Sequence, residues 1–191
     1  MPLPSRPPVP PATRPAPLHV ALLRGINVGG HRRVTMPALK AVLAGLDLQD
    51  ARTHVQSGNV VFRAHCPDAG TLEGALADAF GFPVGVTLRT REEWLAARHG
   101  NPYHAQALAD GTRVHLACLS SEPDAEGLAS LLAVPRGPDD WTLSGRTLYL
   151  HLPNGMARTR LDHGTLERRL GVQVTVRNWR TVDALAILLG P

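Results

Sequence analysis

Leu22-Leu23-Arg24-Gly25-Ile26-Asn27-Val28-Gly29-Gly30-His31-Arg32-Arg33 is the end of an apolar strand running into a basic, glycine-rich loop. Thr35 and Pro37 follow at once. The threonine hydroxyl is placed to cap a helix, and proline in a first turn gives up only an N–H that lacks a helical partner anyway. Upstream, His19 to Arg24 reads as the strand. Downstream, Met36, Leu39, Val42, Leu43 and Leu46 recur at helical spacing. Ala51 to Gln56 and Asn59 to Ala64 alternate as two strands, joined at Ser57-Gly58 in a tight hairpin. Leu72, Leu76, Ala79 and Phe80 line a second helix, and Val84 to Arg89 forms a fourth strand. The order βαββαβ is that of a ferredoxin-like unit.

The order then repeats. Arg113 to Leu119 is a strand, Leu128, Leu131 and Leu132 mark a helix, and Trp141 to Leu143 and Thr147 to Leu152 are strands joined at Ser144-Gly145-Arg146. Leu161, Leu166 and Leu170 mark a further helix before the strand Gln173 to Arg177. Ser57-Gly58-Asn59-Val60-Val61-Phe62 echoes Ser144-Gly145-Arg146-Thr147-Leu148-Tyr149, and Phe80-Gly81-Phe82-Pro83-Val84 echoes Leu170-Gly171-Val172-Gln173-Val174. The expected fold is therefore α+β: two tandem ferredoxin-like βαββαβ halves with a linker helix and a C-terminal helix. The expected boundaries are a proline-rich disordered tail at 1–17, a first half at 18–90, a linker at 91–111, and a second half at 112–191. Thr90-Arg91-Glu92-Glu93 is a capping box that opens the linker helix carrying Trp94, and Asn101-Pro102 ends it. Val182, Leu185, Ala186, Leu188 and Leu189 face inward on the last helix.

Composition narrows the function classes. No apolar run is long enough for a membrane span, and the proline-rich start has no apolar core of a secretory signal. Two cysteines, Cys66 and Cys118, fit a reducing cytoplasm better than a disulfide scaffold. The net charge of +4 suits an anionic partner, either a small molecule or a nucleic acid, and no membrane. Aromatic residues make up only 4% of the chain, which argues against a base-stacking surface. Strand Val20-Ala21-Leu22-Leu23 has no aromatic ring, and the third strand offers only Phe62, so the stacking face of an RNA-recognition module is missing. The nine histidines show no metal-ligand spacing, so no metal is expected. Cofactor and oligomeric state are not fixed by the sequence.

Ala21-Leu22-Leu23-Arg24-Gly25-Ile26-Asn27-Val28-Gly29-Gly30, Val55-Gln56-Ser57-Gly58-Asn59-Val60-Val61-Phe62, Asn101-Pro102 and Arg177-Asn178-Trp179-Arg180-Thr181-Val182 together resemble the bacterial domain-of-unknown-function family 1697. The resemblance is collinear from about Leu18 to the C-terminus and leaves the proline-rich tail outside it. Two departures are a Thr175-Val176-Arg177-Asn178-Trp179-Arg180-Thr181 variant of the last motif and an arginine-rich loop after Gly30. The resemblance implies an α+β protein with two ferredoxin-like halves. It implies no activity, substrate or catalytic residue.

In a βαββαβ sheet the first and third strands are antiparallel neighbours. Arg24, the Gly29-Gly30 loop, the helix start near Met36 and the Ser57-Gly58-Asn59 turn should then share one rim. The candidate ligand-binding residues are Arg24, Asn27, Gly29, Gly30, Arg32, Ser57 and Asn59, which combine backbone N–H groups with guanidinium charge to hold an anion. The competing reading is structural. Gly25, Gly29 and Gly30 then only permit positive φ, Arg24 meets an internal carboxylate, and Ser57 and Asn59 satisfy their own hairpin. Gly25 and Gly30 enclose four residues, as in a P-loop, but His31 and Arg32 stand where lysine and a hydroxyl residue are required. Ser57 lacks a nucleophile elbow, and His54 should point to the opposite face. Arg177, Asn178, Trp179 and Arg180 form a second cluster. It either pins the halves together, with Trp179 in the joint and Arg177 in a salt bridge, or offers cations and a ring to a ligand. The leading reading is a protein that binds an anionic ligand without a covalent step. The alternatives are an enzyme with its substrate between the halves, and an assembly module acting through exposed strand edges.

Overall fold

The strands at Leu18–Arg24 and Val114–Leu119 bury successive residues, so both faces of each sheet have something to cover, and that decides the layering. In this computed structural model, which describes residues 15–27, 32–55 and 58–190, the first half runs β1 (Leu18–Arg24), α1 (Met36–Ala44), β2 (Gln49–His54), β3 (Asn59–Arg63), α2 (Ala69–Phe80) and β4 (Gly85–Thr90). Two helices follow, α3 (Arg91–His99) and α4 (His104–Ala109). The second half runs β5 (Val114–Leu119), α5 (Ala125–Leu132), β6 (Asp140–Ser144), β7 (Thr147–His151), a 3-10 turn at Met156–Arg158, α6 (His163–Leu170), β8 (Val174–Asn178) and α7 (Trp179–Leu189). The result is a mixed α/β protein with two four-stranded antiparallel sheets, ordered β2-β3-β1-β4 and β6-β7-β5-β8.

On β1, Ala21 and Leu23 face a core shared with Leu39 and Leu43 of α1 and Leu72 and Leu76 of α2. On β5, Ala117 and Leu119 face the corresponding core with Leu131 of α5 and Leu166 and Leu170 of α6. The alternate residues, Val20 and Leu22 on β1 and Leu116 and Cys118 on β5, join a third core with Trp94 of α3 and Trp179, Val182 and Leu185 of α7. The sheet faces not covered by α1, α2, α5 and α6 are thus buried against each other and against α3 and α7. That closes the surface an RNA-recognition module would use for stacking.

The strand pairings of the two sheets correspond in register. His19 lies between Phe62 and Thr90 as His115 lies between Leu150 and Asn178. Arg89 of β4 therefore corresponds to Arg177 of β8, and Thr87 corresponds to Thr175. The last two bond to each other, Oγ1 to Oγ1, at 3.0 Å. Helix α3 follows β4 directly, as α7 follows β8, and both begin on an extended cap residue, Thr90 and Asn178. The segment expected to be a linker thus begins with a counterpart of the C-terminal helix. The capping box at Thr90 and Glu93 is present. The register also moves the hairpin echo by one residue: Leu22 pairs with Asn59 and Cys118 with Thr147, so Asn59 matches Thr147 and not Arg146. Most of the proline-rich stretch lies outside the described residues. Within 15–17, Ala16 is buried and its carbonyl accepts from Arg63 at 3.0 Å.

Candidate functional site

The loop after β1 is folded back by Asn27. Its backbone is left-handed, at φ 55°, its Nδ2 donates to the Val34 carbonyl at 2.9 Å, and its Oδ1 accepts from the Val34 N–H at 2.9 Å. The Asn27 N–H bonds the Arg32 carbonyl at 3.1 Å. Asparagine is among the side chains that tolerate this conformation best. Arg32, also left-handed at φ 51°, carries its guanidinium over the Phe82 ring, 5.8 Å from the centroid. Gly29 and Gly30 lie outside the described residues, as does Ser57.

The hairpin rim lies against this loop. The Leu23 N–H donates to the Gly58 carbonyl at 2.7 Å, and Ile26 packs on Gly58. Asn59 is fully buried. Its Nδ2 donates to the His54 carbonyl at 3.1 Å, and its Oδ1 accepts from Arg177 Nε at 2.5 Å. Arg177 also donates to the Leu23 and Val176 carbonyls, each at 2.9 Å. These three acceptors are neutral oxygens, and two of them belong to the first half. Part of the Arg177 surface stays open, but burial pushes the guanidinium down to about 10, so it remains charged at neutral pH. Arg89 does the same from the other half. It is 4% exposed and donates to the Leu119 carbonyl at 2.7 Å and the Arg146 carbonyl at 2.9 Å. Two arginines at matching positions thus each clasp the opposite half.

Arg24 donates to Glu167 of α6, an internal carboxylate. Glu167 in turn accepts the Val174 N–H at 3.0 Å, and its other oxygen lies 3.8 Å from His163 Nδ1. Burial holds the His163 imidazole below its ordinary value, against the pull of Glu167. In the second cluster, Trp179 is buried in the junction, Asn178 caps α7 by accepting the Thr181 N–H at 3.0 Å, and Arg180 is an exposed partner of Asp110 at 3.5 Å.

Between the halves is a cleft of about 940 Å³. Arg24, Gly25 and Arg32 form its loop side, Gly70, Glu73, Gly74 and Ala77 of α2 and Pro83 to Gly85 form its first-half wall, and His163 and Gln173 close it from the second half. A second groove of about 520 Å³ continues past Arg24 and His163 to Asn27, Val55 and Arg177. Of the sequence candidates, Arg24 and Arg32 border the larger cleft, beside Gly25. Asn27 borders the smaller one and braces the loop, while Asn59 is buried in the arginine clasp. Among the described residues, no group of three His, Cys, Asp or Glu side chains is placed to hold a metal.

Sequence reasoning missed Glu73, Arg89, His163 and Glu167. A signal for them exists. Asp68-Ala69-Gly70-Thr71-Leu72-Glu73 and Asp162-His163-Gly164-Thr165-Leu166-Glu167 share five of six residues, and Val86-Thr87-Leu88-Arg89 matches Val174-Thr175-Val176-Arg177 at three of four. Aligning the halves on these runs singles out the paired glutamates and arginines.

The chain belongs to a family described as protein of unknown function (DUF1697), which matches residues 18–149. It is similar in structure to a conserved bacterial protein, SP0830 from Streptococcus pneumoniae, at 23% identity and a TM-score of 0.72, over 91% of this chain and 98% of that one. A likeness at that identity is one of fold. Comparison with curated proteins finds no match. No helix among the described residues is long and apolar enough to cross a membrane.

Proposed function

We propose that this protein is a cytoplasmic binding protein for a small organic anion, held in the cleft between two tandem ferredoxin-like halves (18–90 and 112–191, joined through 91–111). The observation that carries the reading is an asymmetry between otherwise matched halves. Residues 25–35 separate β1 from α1, whereas residues 120–124 suffice between β5 and α5. Gly25 and Arg32 of the longer, basic connection line the 940 Å³ cleft, and long loops on a rigid scaffold are where binding sites concentrate. Arg32 supplies charge with no ion-pair partner among the described residues. The small side of α2, at Gly70, Gly74 and Ala77, leaves room for a flat apolar body, since nothing lies within 4 Å of a Cβ added at Gly74. Arg24 contributes less charge than its sequence position promised, because Glu167 neutralises it. Gly29, Gly30 and Ser57 remain candidates for donation to the anion by their sequence position, while Asn27 ties Arg32 and Val34 together and Asn59 is engaged by Arg177.

Equilibrium titration with nucleotides, sugar phosphates, aromatic carboxylates and short RNA or DNA, at low and high salt, tests the reading. Removing one charge-assisted bond with Arg32→Ala should weaken the best small ligand about tenfold. No binding by the wild type, or unchanged binding by a folded Arg32→Ala variant, refutes it. A preference for polynucleotides whose affinity falls steeply with salt would replace it with a phosphate-backbone surface. A second reading, catalysis, has one observation behind it. His163 lines the cleft, and its depressed basicity leaves it neutral and able to accept a proton. Turnover of a bound ligand that is lost in His163→Gln, with binding retained, is the result that would establish it.

A further inference from the structure

The duplication places a glutamate at the same register in each half, each at the same distance from its capping aspartate. Glu73 follows Asp68 and accepts the Val86 N–H at 2.7 Å, and Glu167 follows Asp162 and accepts the Val174 N–H at 3.0 Å. Both therefore tie their helix to the start of the neighbouring edge strand. Beyond that bond they diverge. Glu167 is neutralised by Arg24, the last residue of β1. The residue matching Arg24 at the end of β5 is Ser120, whose hydroxyl accepts from the Gln173 N–H at 3.1 Å and carries no charge. Among the described residues, Glu73 consequently has no ion-pair partner, and it lines the cleft together with Arg32 and His163.

An ionised carboxylate can accept about four hydrogen bonds, and the backbone of Val86 uses one. The charge is also incompletely solvated, because Glu73 is half-buried on the cleft side of α2. A partly desolvated carboxylate gains most from a cationic donor, which restores what burial removes. On the loop side of the same cleft, Arg32 has the complementary need, its guanidinium resting on Phe82 with no carboxylate partner among the described residues. The cleft thus presents one acidic and one basic side chain on two different walls, each without an ion-pair partner among the described residues.

We propose that Glu73 anchors a cationic nitrogen, so that the cleft selects a small zwitterion with an acidic group for Arg32 and a protonated amine for Glu73. This rests on the cleft being the ligand site, and the test separates the two claims. Calorimetric titration uses matched pairs that share an anionic end and differ only by an ammonium group: phenylalanine against 3-phenylpropionate, and O-phosphoethanolamine against ethyl phosphate. In the wild type the aminated member should bind about tenfold more tightly, the value of one charge-assisted hydrogen bond. Glu73→Gln keeps an oxygen for the Val86 N–H and should bring each pair to within about twofold. Ser120→Arg leaves Glu73 in place but supplies the cation that Glu167 already has, and it should erase the same preference. Equal binding of both members by the wild type, or a preference that survives both variants, overturns the zwitterion while leaving an anion site intact. Failure of every probe to bind overturns the cleft reading as well.

Discussion

Arg89 and Arg177 show what single side chains contribute at the joint between the halves. Each reaches carbonyl or amide oxygens at the end of a strand or turn in the opposite half, and those oxygens are shielded from water once the arginine is in place. Deleting either guanidinium strands its acceptors without water, so Arg89→Ala and Arg177→Ala should each lower unfolding free energy by about 3 kcal/mol in urea titration. A lysine ammonium has one nitrogen where the planar guanidinium spreads its donors over three, so Arg→Lys should recover less than half of the loss. A loss within error for both would mean that solvent reaches the strand ends. Histidine sets a second residue-scale property. His115 is 7% exposed and its Nδ1 has no hydrogen-bond partner among the described residues, and burial pushes its imidazole below the ordinary value while the Arg113 backbone pulls the other way. His163 is displaced in the same direction. The unfolded chain therefore binds more protons than the folded one between the depressed values and about 6.5, and stability rises with pH across that window. Acidifying from pH 7.5 to 5.5 should lower Tm, and His115→Gln should flatten the slope. A Tm that climbs on acidification would reverse the sign assigned here.

Hairpins and helix ends show how far the elements were legible in the sequence. Caps were legible: Thr35 and Thr90 begin helices because their side chains accept backbone N–H groups three residues on. Strand ends were less so, because a strand stops where its neighbour stops. β2 was expected over Ala51–Gln56 and runs Gln49–His54, with an irregularity between Gln49 and Arg52 where Asp50 turns to φ 53°. Trp179 was expected in a connection and instead opens α7, since Asn178 supplies the cap. Of the site, the basic loop and its rim could be read, but not its partners. Glu73 and His163 share a cleft, and Glu167 meets Arg24, only where one half packs on the other, which no spacing within one half encodes. The two hairpin glycines offer a test within one molecule. A Cβ on Gly58, at φ 72°, would stand 2.7 Å from Leu23 Cβ and 2.8 Å from Ile26 Cδ1. A Cβ on Gly145, at φ 54°, would meet only the flexible end of Glu122 at 3.2 Å. Gly58→Ala should therefore cost about 3 kcal/mol from backbone strain and overpacking together, and Gly145→Ala about 1 kcal/mol from backbone strain alone. Equal costs would show that the rim yields to the added methyl.

At the scale of the whole molecule, the central core decides whether the two halves behave as one body. Trp94 has no exposed surface, packs among residues of β1, β5 and α7, and donates its indole N–H to the Val182 carbonyl at 3.2 Å. Tyr149 of β7 donates to the Ala97 carbonyl of α3 at 2.9 Å, Arg98 pairs with Asp183 at 2.6 Å, and Arg146 pairs with Glu93. Separating the halves would expose the apolar faces of both sheets, a loss that scales at about 25 cal/mol for each Å² returned to water. The full chain should accordingly unfold in one transition, and native-state hydrogen exchange should report the same opening free energy for β1 and β5, although they belong to different halves. Trp94→Ala empties the volume on which both sheets close and should lower the two values together, by about 4 kcal/mol. Were the halves independent, the substitution would loosen β1 and leave β5 protected, and a fragment ending near Ala109 would stay soluble and folded. A fragment that instead aggregates or binds a hydrophobic dye would confirm that each sheet needs its counterpart. The cleft draws its walls from both halves, so a ligand that binds there should raise exchange protection in β4 and β8 alike.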